Sequence, residues 1–579
     1  MLAGYNSGHD HCRSEAIHLA GAAYNAFSAL QASHVPQAVY DAQLAAGCME
    51  GTRVQILDDI DSWIKNFKLP AIFWLTGMAG TGKTAINRTV CERARDNPEI
   101  VLGGSFFCSR SAGSIGQRDV RCVVPTLALL LARQSTVFSQ ALADELARDP
   151  DVLTKQITAQ IKQLLYQPLL CFKDSRVPIL FVIDALDECG SRLTTSESSD
   201  EAETHRIVSE MLEALVTFSR LSPRLPVKFM VTSRPETHIR ETPVSDSAFS
   251  EVLRLHTVNK EQVTADIRLY IANRLSRSTQ LRAWFTESEA DLLANVSDGL
   301  FIVATTALQY AIGAGTNRAT AEFKSILNES PGGLISGAMA PLDRMYSLIV
   351  EDAARGDDLS AMLQLLAALL SARMTLSVAA LADLLNRPTI QLRAGLSRLH
   401  AVVHVPDDDD EAGMRTLHAS FGDFLIGRAR SHIRITTSLG HEVLGHACLH
   451  VMEKRLHFNV SNSRSSYELN KADKPDNITL SLEYACLHWI YHIAIKPEPT
   501  RPDEPISEIL RQRLLFWIPH NPRPTPSRLD QKINDVLRPR FLYWLEVMSA
   551  LGQVRRAAAM LSFAGVTVCA RSYRNTHGH

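Results

Sequence analysis

Gly77-Met-Ala-Gly-Thr-Gly-Lys-Thr84 decides the fold of this chain. It fits G-x-x-x-x-G-K-[ST] at every fixed position, the pattern of a loop that wraps phosphate. Before it, Ala71-Ile-Phe-Trp-Leu-Thr76 is a short apolar run of strand formers; after it, Ala85 to Arg95 holds helix formers with no Gly or Pro. Strand, glycine-rich turn and helix N-terminus in that order make an anion site, because free backbone N–H groups and the positive end of the helix dipole face the ligand. The expected phosphate-binding residues are Gly77, Met78, Ala79, Gly80, Thr81, Gly82, Lys83 and Thr84. Lys83 would reach the β- and γ-phosphates, and Thr84 would place its hydroxyl on Mg²⁺.

Downstream, Val177-Pro-Ile-Leu-Phe-Val-Ile-Asp184 is a continuous apolar run ending in a carboxylate, as expected of a central parallel strand buried on both faces. Asp184 at its tip suits the Mg²⁺-holding acid of a P-loop NTPase. Asp187 and Glu188 follow where a carboxylate would orient or activate attacking water. Pro226-Val-Lys-Phe-Met-Val-Thr-Ser-Arg234 reads as a further strand. Arg234 at its end suits γ-phosphate sensing through its fixed fork of donors. Val101 to Phe107 and Glu251 to His256 read as two more strands. Strands alternating with helices predict a doubly wound parallel sheet with its ligand at the carboxyl edge.

The remaining sequence bounds the function. A chain of 579 residues exceeds one hydrophobic core, and a net charge of −2 implies no global pull toward nucleic acid or an acidic membrane. The ten cysteines are scattered, which with a polar start and no signal segment predicts a reduced, cytoplasmic setting. The longest apolar stretch, Leu300 to Gly315, contains Gln309 and Tyr310 and reads as a buried helix, so no membrane span is expected. Ser191 to Thr204 is Ser-, Thr- and acid-rich and reads as a surface loop, with a helix from His205 to Leu221.

From residue 259 the pattern turns helical, with Gln262 to Leu275, Glu287 to Val296 and Phe301 to Ile312 as a small bundle and Pro331-Gly-Gly333 as a joint. Leu376 to Leu385 and Ile390 to Leu399 are two helices, followed by a hairpin of Val402 to Val405 and Met414 to Leu417. This is a winged-helix order of elements. Its tip, Asp407-Asp-Asp-Asp-Glu411, would repel phosphates, so DNA binding is not expected. His446, Cys448 and His450, and His488 with His492, have helical spacings that suit zinc; without further ligands they read as packing histidines.

These motifs, taken in order, resemble the NACHT domain of STAND-class NTPases, and most closely the NOD-like receptor proteins of filamentous fungi with a nephrocystin-like NACHT core. The resemblance rests on the phosphate loop, Phe181-Val-Ile-Asp-Ala-Leu-Asp-Glu188 and Val231-Thr-Ser-Arg-Pro-Glu236. It extends to Cys48-Met-Glu-Gly-Thr-Arg53, Phe106-Phe-Cys-Ser-Arg110, Leu417-His-Ala-Ser-Phe-Gly-Asp-Phe-Leu425 and Tyr484-Ala-Cys-Leu-His-Trp489. It implies an N-terminal extension (1–47), a NACHT P-loop NTPase domain (48–258), an all-α helical domain (259–340), a winged-helix domain (341–430), a C-terminal helical region (431–563) and a tail (564–579). The usual effector domain and WD40 repeats are not expected within the chain.

The implied activity is that of a signalling switch. It would bind ATP or GTP with Mg²⁺, hydrolyse it slowly, close with diphosphate, and open and form homo-oligomers with triphosphate. Nonself recognition or regulated cell death is the implied setting, through an unidentified signalling partner. His418 matches a winged-helix histidine that contacts the β-phosphate in the closed state of animal relatives. An interaction scaffold with little or no turnover is the alternative. An AAA+-like DNA-associated ATPase is a third reading, disfavoured by the acidic tip.

Overall fold

The computed structural model describes residues 27–43, 45–110, 115–189, 197–221, 225–236, 239, 250–313, 324–325, 340–354, 359–411, 413–427, 433, 435–463, 475–494 and 535–563. The chain forms two compact units, Met1–Met345 and Tyr346–His579.

The first unit is built on five parallel strands: β1 (Ile72–Thr76), β2 (Val101–Phe107), β3 (Ile179–Asp184), β4 (Val227–Ser233) and β5 (Ser250–Arg254). Their order in the sheet is β2-β3-β4-β1-β5. β1 pairs with β4 from Ile72↔Phe229 to Thr76↔Ser233, and with β5 from Ile72↔Ser250 to Thr76↔Arg254. The fifth strand thus ends earlier than expected, and Leu255–Thr257 is a short 3₁₀ turn.

Side chains alternate along a strand, and both faces of this sheet are covered. Ile72, Trp74, Phe181, Ile183, Phe229 and Val231 enter one core with α3 (Val123–Gln134), α4 (Thr136–Arg148) and α5 (Glu197–Leu221). Phe73, Leu75, Leu180, Val182 and Met230 enter the other with α1 (Val54–Lys65) and α2 (Lys83–Asp96). Hence these strands read as unbroken apolar runs and not as alternating ones. Helix α5 begins eight residues before the expected His205. Glu197 to Glu203 is rich in helix-forming and acidic residues, which favour the first turns of a helix. Only Ser191 to Ser196 of the expected loop falls outside the described residues.

The expected small bundle follows in the same unit as α6 (Lys260–Arg277), α7 (Thr279–Trp284), α8 (Glu287–Val296) and α9 (Phe301–Gly313). Thr286 opens α8 with a capping box, its hydroxyl accepting from the Glu289 N–H while the Glu289 carboxylate accepts from the Thr286 N–H. Among the described residues no helix is long and apolar enough to cross a membrane.

Helix α10 (Ala340–Ala353) carries the boundary between the units. The second unit contains α11 (Leu359–Ser371), α12 (Val378–Leu384), α13 (Thr389–Ser397) and the antiparallel pair β6 (Val403–His404) and β7 (Arg415–Thr416). It continues with α14 (Ala419–Ile426), α15 (Thr437–Arg455), α16 (Leu480–Ala494), α17 (Phe541–Ala550) and α18 (Val554–Phe563). His488 and His492 are buried, while His446 is exposed. His492 hydrogen-bonds His441 (Nδ1 to Nδ1, 2.8 Å) and the Tyr484 hydroxyl (2.8 Å). Among the described residues there is no group of three or more ligating side chains that would hold a metal. Residues 1–26, the Pro331–Gly333 joint and the tail after 563 lie outside the described residues.

Candidate functional site

The polar tips of the strands meet at the carboxyl edge of the sheet. β1 runs into the Gly77–Thr84 loop, whose first N–H donates to the Ser233 carbonyl at the end of β4 (3.3 Å). Gly80 and Gly82 have φ of 80° and 94°, a region that glycine enters without the penalty of a Cβ. Lys83 opens α2 and is buried, its Nζ donating to the Gly77 and Met78 carbonyls (2.7 and 3.0 Å). Burial holds its pKa below the usual lysine value, against the pull of Asp187 and Asp184. Met78 is exposed, and Thr81 is buried with its hydroxyl on the Met78 carbonyl (2.8 Å).

Asp184 lies at the centre of this edge, 2% exposed. Its Oδ2 accepts from the Thr84 hydroxyl (2.7 Å), and its Oδ1 from the Thr232 hydroxyl (2.7 Å) and the Asn87 amide (2.8 Å). Burial still pushes its carboxyl pKa above the usual range. Thr84 and Asp184 thus offer adjoining hydroxyl and carboxylate oxygens, the hard donors that Mg²⁺ takes.

Beyond Asp184 the chain turns sharply. Ala185 sits in the left-handed region at φ 52°, which costs a non-glycine residue about 1 kcal/mol. Its N–H donates to the Thr232 hydroxyl (2.9 Å), so Thr232 holds both the carboxylate and the turn. Asp187 and Glu188 follow in a 3₁₀ turn. Asp187 accepts from the Arg234 backbone N–H (2.9 Å) and pairs with its Nε (3.2 Å). Glu188 accepts from the Arg110 backbone N–H (3.1 Å), while the Arg110 guanidinium donates to the Asp187 carbonyl. Burial and the neighbouring Asp187 push the Glu188 carboxyl up to about 7.

The structure therefore gathers Gly77–Thr84, Asp184, Asp187, Glu188 and Arg234 on one edge. Asn87 belongs to the same constellation and lies in none of the motifs; Thr232 and Arg110 belong to it too and lie within motif stretches that gave them no role. Arg53, at the end of the Cys48–Arg53 stretch, is a further residue whose role the sequence did not assign. It has φ 55° and is buried; its N–H donates to Asp266 of α6 (3.1 Å), and its guanidinium donates to the Thr81 carbonyl (3.0 Å) and lies 4.9 Å from the Phe301 ring centre. Nearby, the Ile302 N–H in α9 donates to the Gly80 carbonyl (3.2 Å). A Cβ on Gly80 would stand 2.1 Å from Ile302 Cγ2. The phosphate loop is thus held by the helical bundle as well as by the sheet.

His418 lies in the second unit, where it caps α14. Its Nδ1 accepts from the Ser420 N–H (3.1 Å), which places the proton of the neutral ring on Nε2, and lies 2.6 Å from the Ser420 hydroxyl.

Residues 51–234 match the family model described as Nephrocystin 3, N-terminal. The chain is similar to the vegetative incompatibility protein HET-E-1 of Podospora anserina, at 22% identity over 481 residues. That match takes in 77% of this chain and 33% of the relative, so the chain spans about a third of that protein's length. Among solved structures, a STAND protein with a tetratricopeptide repeat sensor from Pyrococcus horikoshii aligns at a TM-score of 0.40 and 12% identity, over 92% of this chain and 61% of its own. Cdc6p from Pyrobaculum aerophilum aligns at 0.31 and 12%, over 66% of this chain and 93% of its own.

Proposed function

We propose that residues 51–234, which match the Nephrocystin 3 N-terminal model, form a NACHT-type STAND NTPase core and that the chain is a nucleotide-dependent signalling switch. It binds ATP or GTP with Mg²⁺, hydrolyses it slowly and oligomerises in the triphosphate state. Signalling in fungal nonself recognition or regulated cell death is the setting suggested by the vegetative incompatibility relative.

The observation that carries this reading is the junction at Asp184, where the Thr84 hydroxyl, Asn87 and Thr232 converge on one buried carboxylate. Thr84 and Asp184 would hold the metal, which when bound neutralises phosphate charge. The loop N–H groups and Lys83 take the phosphates. Glu188, with its raised pKa, suits proton transfer from water near neutral pH, and Asp187 positions Arg234 for the γ-phosphate. A switch is favoured over a metabolic enzyme because the phosphate loop is hydrogen-bonded to the helical bundle through Gly80 and Arg53. A bound nucleotide therefore has a mechanical partner to bias.

We read residues 341–430 as a winged-helix domain and His418 as its closed-state contact with the β-phosphate. Arg393 of this module is occupied by Asp409 and the Pro406 carbonyl, which supports a role without nucleic acid.

The test is nucleotide content and turnover of purified protein. Lys83→Ala is expected to lose bound nucleotide, and Glu188→Gln to keep it while turnover falls at least about a hundredfold, the usual size of a general-base contribution. Wild-type protein that binds nucleotide and never turns it over would instead mark the scaffold. Unchanged diphosphate retention and oligomeric state in His418→Ala would remove the closed-state contact.

A further inference from the structure

Two cysteines lie side by side at the root of the turn that carries Asp187 and Glu188, the acidic loop. The sulfurs of Cys108 and Cys189 are 2.8 Å apart, closer than in simple packing contact, and a disulfide at about 2.05 Å needs less than about 1 Å of further approach. Both are free thiols in the core, 6% and 1% exposed. They are far apart in sequence, and each is tied to the site. Cys108 follows β2 and donates its N–H to the Asp184 carbonyl (3.0 Å). Cys189 directly follows Glu188, and its N–H donates to the Leu186 carbonyl (3.1 Å). Two residues beyond Cys108, the Arg110 N–H holds the Glu188 carboxylate. The pair therefore joins the two chain segments between which Glu188 is held.

We propose that Cys108 and Cys189 form a reversible disulfide, an oxidation site that locks the acidic loop with Glu188 against Arg110. The oxidant is a peroxide. The sulfur of Cys108, the more exposed residue of the pair, attacks one peroxide oxygen and breaks the O–O bond, giving a sulfenic acid and, with hydrogen peroxide, water. The Cys189 sulfur displaces the hydroxyl from that sulfenic acid, forming the S–S bond and releasing a second water. Two electrons leave the sulfurs and reduce the peroxide, and a dithiol reverses the reaction. Both cysteines are buried, so access of the peroxide is restricted and oxidation is slow. The effect on turnover rests on Glu188 as the proposed base; the disulfide itself does not.

The test exposes the full chain to hydrogen peroxide, blocks remaining thiols with N-ethylmaleimide under denaturing conditions, and maps peptides by mass. The expected result is one cross-linked peptide pair containing Cys108 and Cys189, lost after dithiothreitol and never formed in Cys189→Ala. Turnover is expected to fall several-fold with the cross-link and to recover on reduction, while nucleotide stays bound. Both cysteines recovered as alkylated thiols, or Cys108 as a sulfinic or sulfonic acid without the cross-link, would overturn the proposal. The cross-link with unchanged turnover would establish the oxidation site and overturn its effect on the Glu188 turn, while the part of Glu188 in the reaction is read separately from Glu188→Gln. The wild-type cross-link reads out without any variant, so a poorly folding substitution does not blunt the experiment.

Discussion

Glu188 illustrates how one side chain links site chemistry to stability. Its carboxyl is pushed from an ordinary 4.5 up to about 7. Between those values the folded chain holds a proton that the unfolded chain has released. Stability therefore falls as pH rises through this window, and the cost is complete above about pH 7. Glu188→Gln removes the charge and keeps an oxygen for the Arg110 N–H. It is expected to raise stability at pH 8 by about 1–2 kcal/mol, a value discounted for the solvent Glu188 still touches, and to change little at pH 5. Thermal unfolding at the two pH values checks this; equal shifts at both would show that charge is not the cause. Neighbouring residues differ in how visible they are in sequence. Lys83 and Thr84 are legible because phosphate chemistry fixes their spacing in the loop, and Asp184 because a carboxylate ends a long apolar run. The roles of Thr232 and Asn87 are not, because only the β3–β4 pairing and the inner face of α2 bring them to the same carboxylate. Arg234 was legible as a strand-end arginine, but its pairing with Asp187 depends on β4 lying next to β3.

At the scale of elements, the amino edge of the sheet has its own polar anchor. Lys228 lies within the apolar run of β4, 2% exposed. Its Nζ donates to the carbonyls of Asn66, Leu69 and Pro70 (2.9, 3.0 and 3.1 Å), and it lies 5.0 Å from the centre of the Trp63 ring. One ammonium thus fastens the turn between α1 and β1. Lys228→Met keeps the length of the side chain and takes the ammonium from the Leu69 carbonyl, while the Pro70 carbonyl keeps the Trp63 indole N–H (2.9 Å) and the Asn66 carbonyl keeps the Leu69 N–H (3.2 Å), with an expected loss of about 1–3 kcal/mol; denaturant unfolding measures it, and a loss below about 0.5 kcal/mol would show that water replaces the amine. The strands themselves were readable because strands buried on both faces leave long apolar runs. The start of α5 was not, since Ser-, Thr- and acid-rich sequence suits a loop and a helix N-terminus alike. The order β2-β3-β4-β1-β5 is likewise absent from any local pattern.

At the scale of the whole molecule, the first unit is a parallel-sheet core with a helical bundle fastened to its Gly77–Thr84 loop. Arg53 is the main fastener, bonded to Thr81 on one side and to Asp266 and Phe301 on the other. Arg53→Ala removes the guanidinium and leaves the backbone bond to Asp266 available. It is expected to speed hydrogen exchange at the Ile302 amide and to weaken nucleotide binding about tenfold, the equivalent of about 1.4 kcal/mol. Faster exchange with unchanged affinity would mean that the bundle rests on the loop without influencing it.

The Ile302–Gly80 hydrogen bond carries a wider consequence. If binding phosphate at the loop changes the free energy of that contact, then displacing α9 must change nucleotide affinity by the same factor, since coupling between two equilibria is reciprocal. A protein that grips the bundle would then act as a nucleotide-exchange factor or a dissociation inhibitor without touching the nucleotide. Which of the two it becomes depends only on whether its grip strains or spares a 3.2 Å bond.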